Sequence, residues 1–162
     1  MSAPDSSYAE ACIAVDSGPV PHLPLALRAA CPMTTPSNPR LLIVDDDDVT
    51  SKTFARILTL EGFDVRTATS AESGLREIET LRPDAVILDL RMPYINGLGL
   101  LYRLRAVDPG RQMPVAIVTG DQCLDDSVIR ELRELGAEVR FKPLWVEDLV
   151  DVARSLIGSR PS

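Results

Sequence analysis

Three features of the sequence predict an α/β fold, a doubly wound five-stranded parallel sheet with helices on both faces. From Arg40 onward, short runs alternate five times with segments of helical periodicity, the pattern of a parallel sheet covered on both sides. Four of the runs, 41–44, 85–88, 115–118 and 139–141, are strongly apolar, as strands buried on both faces require. Finally, Asp45-Asp46, Asp89, Thr119 and Lys142 each stand at or just past the C-terminal end of such a run. Ligands of open α/β sheets bind beyond the carboxyl ends of the strands, so these residues are expected to meet at one sheet edge.

The first strand is expected over residues 41–44, and the helix after it carries Phe54, Ile57 and Leu58 on one face and stops at Gly62, a favourable residue just past a helix end. Residues 65–68 form the second strand. Ser70 is the expected N-cap of a helix whose stripe is Ala71, Leu75 and Ile78 and which Pro83 ends. The third strand is 85–88, and the helix that follows presents Leu98, Leu101 and Leu104. An Asp108-Pro109-Gly110 turn leads to the fourth strand at 115–118. Val128, Ile129, Leu132 and Leu135 mark the fourth helix, closed by Gly136; residues 139–141 are a short fifth strand, and Leu149, Val152, Ala153 and Leu156 give the last helix its buried stripe.

A chain of 162 residues holds one full domain, roughly 100 to 150 residues being usual. That domain is assigned to 39–158, with a short tail at 159–162. Residues 1–38 are rich in Ala, Pro and Ser, with breakers at Pro19, Pro21, Pro24, Pro32 and Pro36, and read as a disordered tail; Met33 offers an alternative start. No output domain is expected, so the chain reads as a single-domain, stand-alone type. A net charge of −7 argues against a nucleic-acid-binding surface. No stretch reaches the roughly 18 residues of a membrane span, and no basic region opens the chain as in a secretory signal, so a cytoplasmic protein without membrane partners is expected. Cys12, Cys31 and Cys123 are odd in number and lack paired spacing, which favours reduced thiols. With His22, the first two match no zinc motif.

A dinucleotide site would want a glycine-rich turn after the first strand. Here that turn is Asp45-Asp46-Asp47-Asp48, which repels a bare phosphate but offers hard oxygen ligands for Mg²⁺. In formal charge, Asp45, Asp46 and Asp89 sum to roughly −3, which Mg²⁺ and Lys142 would balance. Without the metal, the crowded acids are expected to raise at least one carboxyl pKa. Such a cluster suits phosphoryl transfer, with Asp89 as nucleophile, Lys142 and the metal on the phosphoryl oxygens, and Thr119 as a hydrogen-bond donor. In isolation each residue has a simpler reading: a solvated N-cap for the aspartates, a turn residue, a β-former, a surface charge. Asp47 and Asp48 are expected to have only the capping role. Trp145 and Leu144 are expected to pack onto the last helix.

The ordered motifs Leu42-Ile43-Val44-Asp45-Asp46-Asp47, Leu88-Asp89 with Met92-Pro93 and Gly97, Val118-Thr119-Gly120, and Phe141-Lys142-Pro143 resemble those of the bacterial two-component response-regulator receiver domains, over residues 40–157. The resemblance implies a flavodoxin-like (βα)₅ fold with strand order 2-1-3-4-5 and a phosphorelay role. It makes Asp89 the phosphoacceptor, Lys142 its ion-pair partner and Thr119 the switch hydroxyl. Asp46 becomes the direct Mg²⁺ ligand, Asp45 a neighbour acting mostly through water, and the Arg91 backbone carbonyl a further metal ligand. The Lys142-Pro143 bond is expected to be cis. The implied phosphodonor is a sensor histidine kinase or phosphotransfer protein, replaceable by acetyl phosphate, and the output is a downstream protein reached through the surface of the fourth helix, fifth strand and fifth helix. The module would promote its own phosphorylation and dephosphorylation without being a turnover enzyme.

Two departures stand out. Val139 occupies the position, three before the lysine, where the family usually has an aromatic coupled to the switch hydroxyl. Arg91 and Asp121, two positions past the acceptor and the switch residue, carry opposite charges that suggest a pair across the site mouth. Val139 sustains an alternative, a phosphorylation-independent receiver acting as a protein-interaction module. A metal-dependent phosphatase or hydrolase would want an acid where Arg91 stands.

Overall fold

The computed structural model describes residues 38–107 and 113–159. The expectations for the N-terminal tail, for Cys12, His22 and Cys31 within it, for the Asp108-Pro109-Gly110 turn and for residues 160–162 fall outside the described residues.

Five βα units follow in order: β1 (Arg40–Val44), α1 (Asp48–Leu60), β2 (Asp64–Ala68), α2 (Ala71–Leu81), β3 (Ala85–Asp89), α3 (Gly97–Val107), β4 (Val115–Thr119), α4 (Asp126–Glu134), β5 (Ala137–Phe141) and α5 (Val146–Gly158). The sheet order is β2-β1-β3-β4-β5, and all four pairings are parallel. This is the doubly wound, flavodoxin-like topology that the sequence predicts. Among the described residues, no helix is long and apolar enough to cross a membrane.

Alternation along the strands divides the core. Leu42, Val44, Val86, Leu88, Val115 and Ile117 face a cluster with Ala71, Leu100, Leu101, Leu104 and Leu132 from α2, α3 and α4. Leu41, Ile43, Ala85, Ile87, Ala116 and Val118 face Leu58, Leu149, Val152, Ala153 and Leu156 from α1 and α5. A period of two sends successive side chains to opposite faces, so central strands apolar at every position fill both layers. Burial of this area is the main favourable term in the fold.

Local chemistry sets the helix ends. Asp47 caps α1 as expected, its Oδ1 accepting from the Val49 N–H at 3.0 Å; Asp48, in the first turn, instead pairs with Lys52 one turn on. Ser70 and Ser73 form a reciprocal capping box on α2, satisfying N–H groups that lack partners inside the helix. Gly62 and Gly136 lie at φ +91° and +73°, the left-handed conformation that ends a helix most cheaply with glycine. Helix α2 stops at Leu81, with Arg82 rather than Pro83 as its left-handed cap.

Trp145 departs from expectation. It occupies the N-cap of α5 but its indole makes no cap hydrogen bond, and it is 72% exposed; Leu144 alone packs against the α1/α5 layer. The Asp148 carboxylate accepts the Trp145 N–H at 3.4 Å instead.

Candidate functional site

Strand register brings the polar residues together. Val44 is level with Leu88, so Asp45, the next residue after β1, emerges beside Asp89, the last residue of β3. Asp89 is level with Val118, and Thr119 with Phe141, which puts Thr119 and Lys142 at the same edge. Strands β3 and β4 each run one residue further than the apolar runs suggest, so Asp89 and Thr119 are strand residues held by the ladder rather than by loops.

Lys142 joins the cluster. Its Nζ donates to Asp45 Oδ2 at 2.9 Å and to Asp89 Oδ2 at 3.1 Å. The other oxygen of Asp89 accepts from the Arg91 N–H at 3.2 Å, and Asp45 Oδ1 accepts from the Asp47 N–H at 2.9 Å. One oxygen from each of Asp45, Asp46 and Asp89 lies within 4.8 Å of the others. Asp45 and Asp89 are buried, whereas Asp46 is exposed at the rim. The family resemblance implies one carboxylate partner for Lys142; the fold gives it two.

Burial is the first cause that pushes the Asp89 carboxyl above its ordinary value; the Arg91 amide and the Lys142 ammonium oppose it, and the charge of Asp45 adds to the rise. Crowding of acids predicts a raised carboxyl, but here desolvation outweighs repulsion. Burial alone would lower the Lys142 ammonium, yet its hydrogen bonds to Asp45 and Asp89 together leave it raised. The raised lysine keeps its proton, whereas the rise at Asp89 works against the charged carboxylate that the pair needs.

Thr119 is fully buried, and its Oγ1 accepts from the Asp121 N–H at 3.1 Å. Across the mouth, Arg91 and Asp121 form the ion pair that their charges suggest, and the pairing lowers the Asp121 carboxyl. A groove beside this pair is lined by Asp46, Met92, Pro93, Leu98, Leu124 and Val128 among others. The Lys142-Pro143 peptide is cis.

Gly97 closes the β3–α3 loop, its N–H donating to the Leu90 carbonyl at 2.9 Å. A Cβ at this position would lie 2.4 Å from the Asp89 carbonyl oxygen and 2.9 Å from Leu90 Cα. The site thus depends on a missing side chain, which residue identity records but hydrophobic periodicity does not. Gln122, whose Nε2 donates to the Lys142 carbonyl at 3.1 Å, carries no sequence signal at all, being one polar residue in a polar loop.

The match to known proteins fits this geometry. The response regulator receiver domain model matches residues 41–154, and the chain belongs to that family. Transcriptional regulatory protein PrrA of Mycobacterium leprae is 36% identical over 125 residues, covering 76% of this chain and 52% of that protein. Probable transcriptional regulatory protein TcrX of Mycobacterium tuberculosis is 32% identical over 117 residues, covering 72% and 49%. The chain spans about half the length of the curated relatives it matches. In structure it is similar to a CheY-like receiver domain from Methanospirillum hungatei, with a TM-score of 0.68, 31% identity, and coverage of 75% of this chain and 95% of that one. The chemotaxis protein CheY4 of Vibrio cholerae, at 22% identity and a TM-score of 0.67 over 74% of this chain and 98% of that one, shares the fold.

Proposed function

We propose that this receiver accepts a phosphoryl group on Asp89 in a Mg²⁺-dependent reaction and passes the signal on through protein contacts. The observation that carries this reading is the Lys142 ammonium bridging Asp45 and Asp89 beside a third carboxylate. The donor set is all hard oxygen, which suits Mg²⁺; Asp45, Asp46, Asp89 and the Arg91 backbone carbonyl would hold it. When bound, the ion would neutralise charge on the phosphoryl oxygens.

The chain's own groups do the rest. An Asp89 oxygen supplies the electron pair for a new O–P bond, while the bond from phosphorus to the donor's imidazole nitrogen or acyl oxygen breaks and that group leaves with its electrons. Two of the three N–H donors of Lys142 are engaged by Asp45 and Asp89, and the third is available to a phosphoryl oxygen. The Thr119 hydroxyl accepts from Asp121 and keeps its own hydrogen to donate. The new negative charge would draw Thr119 and Lys142 inward and shift the α4, β5 and α5 surface.

Receiver domains work with histidine kinases or phosphotransfer proteins, and the donor here is assigned to that class; this chain acts as a signalling module rather than a turnover enzyme. Two relatives are named as transcriptional regulators, which supports an output in transcription through a further partner. A phosphorylation-independent interaction module is the second reading, favoured by Val139, which is packed against the core where the family usually has an aromatic.

Acetyl phosphate with and without Mg²⁺ tests the proposal: one phosphoryl group added per chain with metal, none after chelation, is expected. Equal modification under both conditions would defeat the metal's role. Mg²⁺ alone should also raise the melting temperature, since at about 100 times its Kd a ligand stabilises by about 2.7 kcal/mol. Asp46→Asn should lose most of that gain, and a melt insensitive to Mg²⁺ in the wild type would contradict the metal site.

A further inference from the structure

We propose that Gln122 is a positioning residue that straps the β4–α4 loop to the main chain of Lys142, so that phosphorylation-driven movement of the loop pulls on the turn from Lys142 to Trp145. The proposal rests on the phosphoacceptor reading above.

Lys142 is hydrogen-bonded through both of its backbone groups. Its N–H donates to the Thr119 carbonyl at 2.7 Å, and its C=O accepts from Gln122 Nε2 at 3.1 Å. A carbonyl can only accept, so the amide must present its NH₂ here, and its orientation is fixed by chemistry. The loop carrying Gln122 is also held from the other side, where Asp121 pairs with Arg91 of the β3–α3 loop. Asp121 is in addition the residue whose N–H the Thr119 hydroxyl accepts. A Thr119 hydroxyl drawn toward a phosphoryl oxygen moves the Asp121 amide that it holds, and Gln122, the next residue, is displaced with it.

At the other end of the strap the chain is poised to report. Trp145 is the sole tryptophan of the sequence, three residues past Lys142 and 72% exposed, with no indole cap to hold it to α5. Val139 is packed against the core and offers no ring to couple β5 to Thr119. Gln122, in the loop after β4, is hydrogen-bonded instead to Lys142, the residue after β5.

The test compares Trp145 fluorescence before and after phosphorylation by acetyl phosphate and Mg²⁺, at equal phosphoryl occupancy measured by intact mass. The wild type is expected to shift its emission on modification. Gln122→Met, of similar length but with no donor, should lose most of the shift at an unchanged melting temperature. Gln122→Lys, which restores an N–H donor of similar reach, should recover it. An equal shift in Gln122→Met and wild type, no shift in the modified wild type, or no recovery in Gln122→Lys would overturn the strap. A Gln122→Met protein that takes no phosphoryl group would also overturn it, because Gln122 would then act in transfer rather than transmission. Failure of the underlying reading is distinct: the wild type itself would gain no mass.

Discussion

Lys142→Met is expected to slow phosphorylation by acetyl phosphate by about 10² to 10³, the usual consequence of deleting one preorganised group that stabilises transition-state charge. The ammonium is the one cation within hydrogen-bonding distance of both Asp45 and Asp89 among the described residues, and those carboxylates are 3% and 9% exposed. Methionine fills similar space and leaves both acids without their counter-charge. The same change should cost the metal-free protein about 1–3 kcal/mol, the range for losing a hydrogen bond to a charged group in a partly buried setting. Protonation of Asp89, already pushed up by burial, limits the cost. A phosphorylation time course reads the first effect and urea unfolding the second. A variant that is phosphorylated at the wild-type rate would remove Lys142 from the chemistry.

Gly97→Ala should cost about 1–3 kcal/mol of folding stability, as overpacking of a tight site does, and should also impair phosphorylation. The added methyl carbon falls 2.4 Å from the carbonyl oxygen of Asp89 itself. That oxygen belongs to backbone locked in the β3 ladder opposite Val118, so the strain cannot be relieved by a side-chain rotation. Either the loop from Leu90 to Asn96 shifts, moving the Arg91 N–H that holds Asp89 Oδ1, or α3 is pushed out of the core layer that it shares with Leu88. Both routes link stability to site geometry. Gly99→Ala is the control: its nearest contact would be the Ile95 side chain at 3.2 Å, which can yield, so a much smaller cost is expected. Helix propensity favours alanine at both positions, so equal losses from the two substitutions, by urea unfolding, would contradict crowding at Asp89 as the cause.

The fold was legible because burial on two faces writes itself into composition. Residues 41–44, 85–88 and 115–118 are apolar at every position, and helices with one stripe each leave a doubly wound sheet as the economical arrangement. The site was legible for a related reason: a charged or hydroxyl residue at the end of a buried strand lies where the sheet opens. What periodicity does not carry is the second partner of Lys142, since the distance from its Nζ to Asp45 follows from sheet register. Nor does it carry the exposure of Trp145, where an apolar residue before a helix reads as a staple but the backbone turns it outward. Gln122 was invisible because its hydrogen bond is to main chain, and a backbone acceptor has no residue type to betray it.

Intact mass after exposure to acetyl phosphate and Mg²⁺, for the wild type beside Asp89→Asn, decides whether Asp89 is the phosphoacceptor. One phosphoryl group on the wild type and none on Asp89→Asn is expected; modification of both proteins, or of neither, would contradict that role.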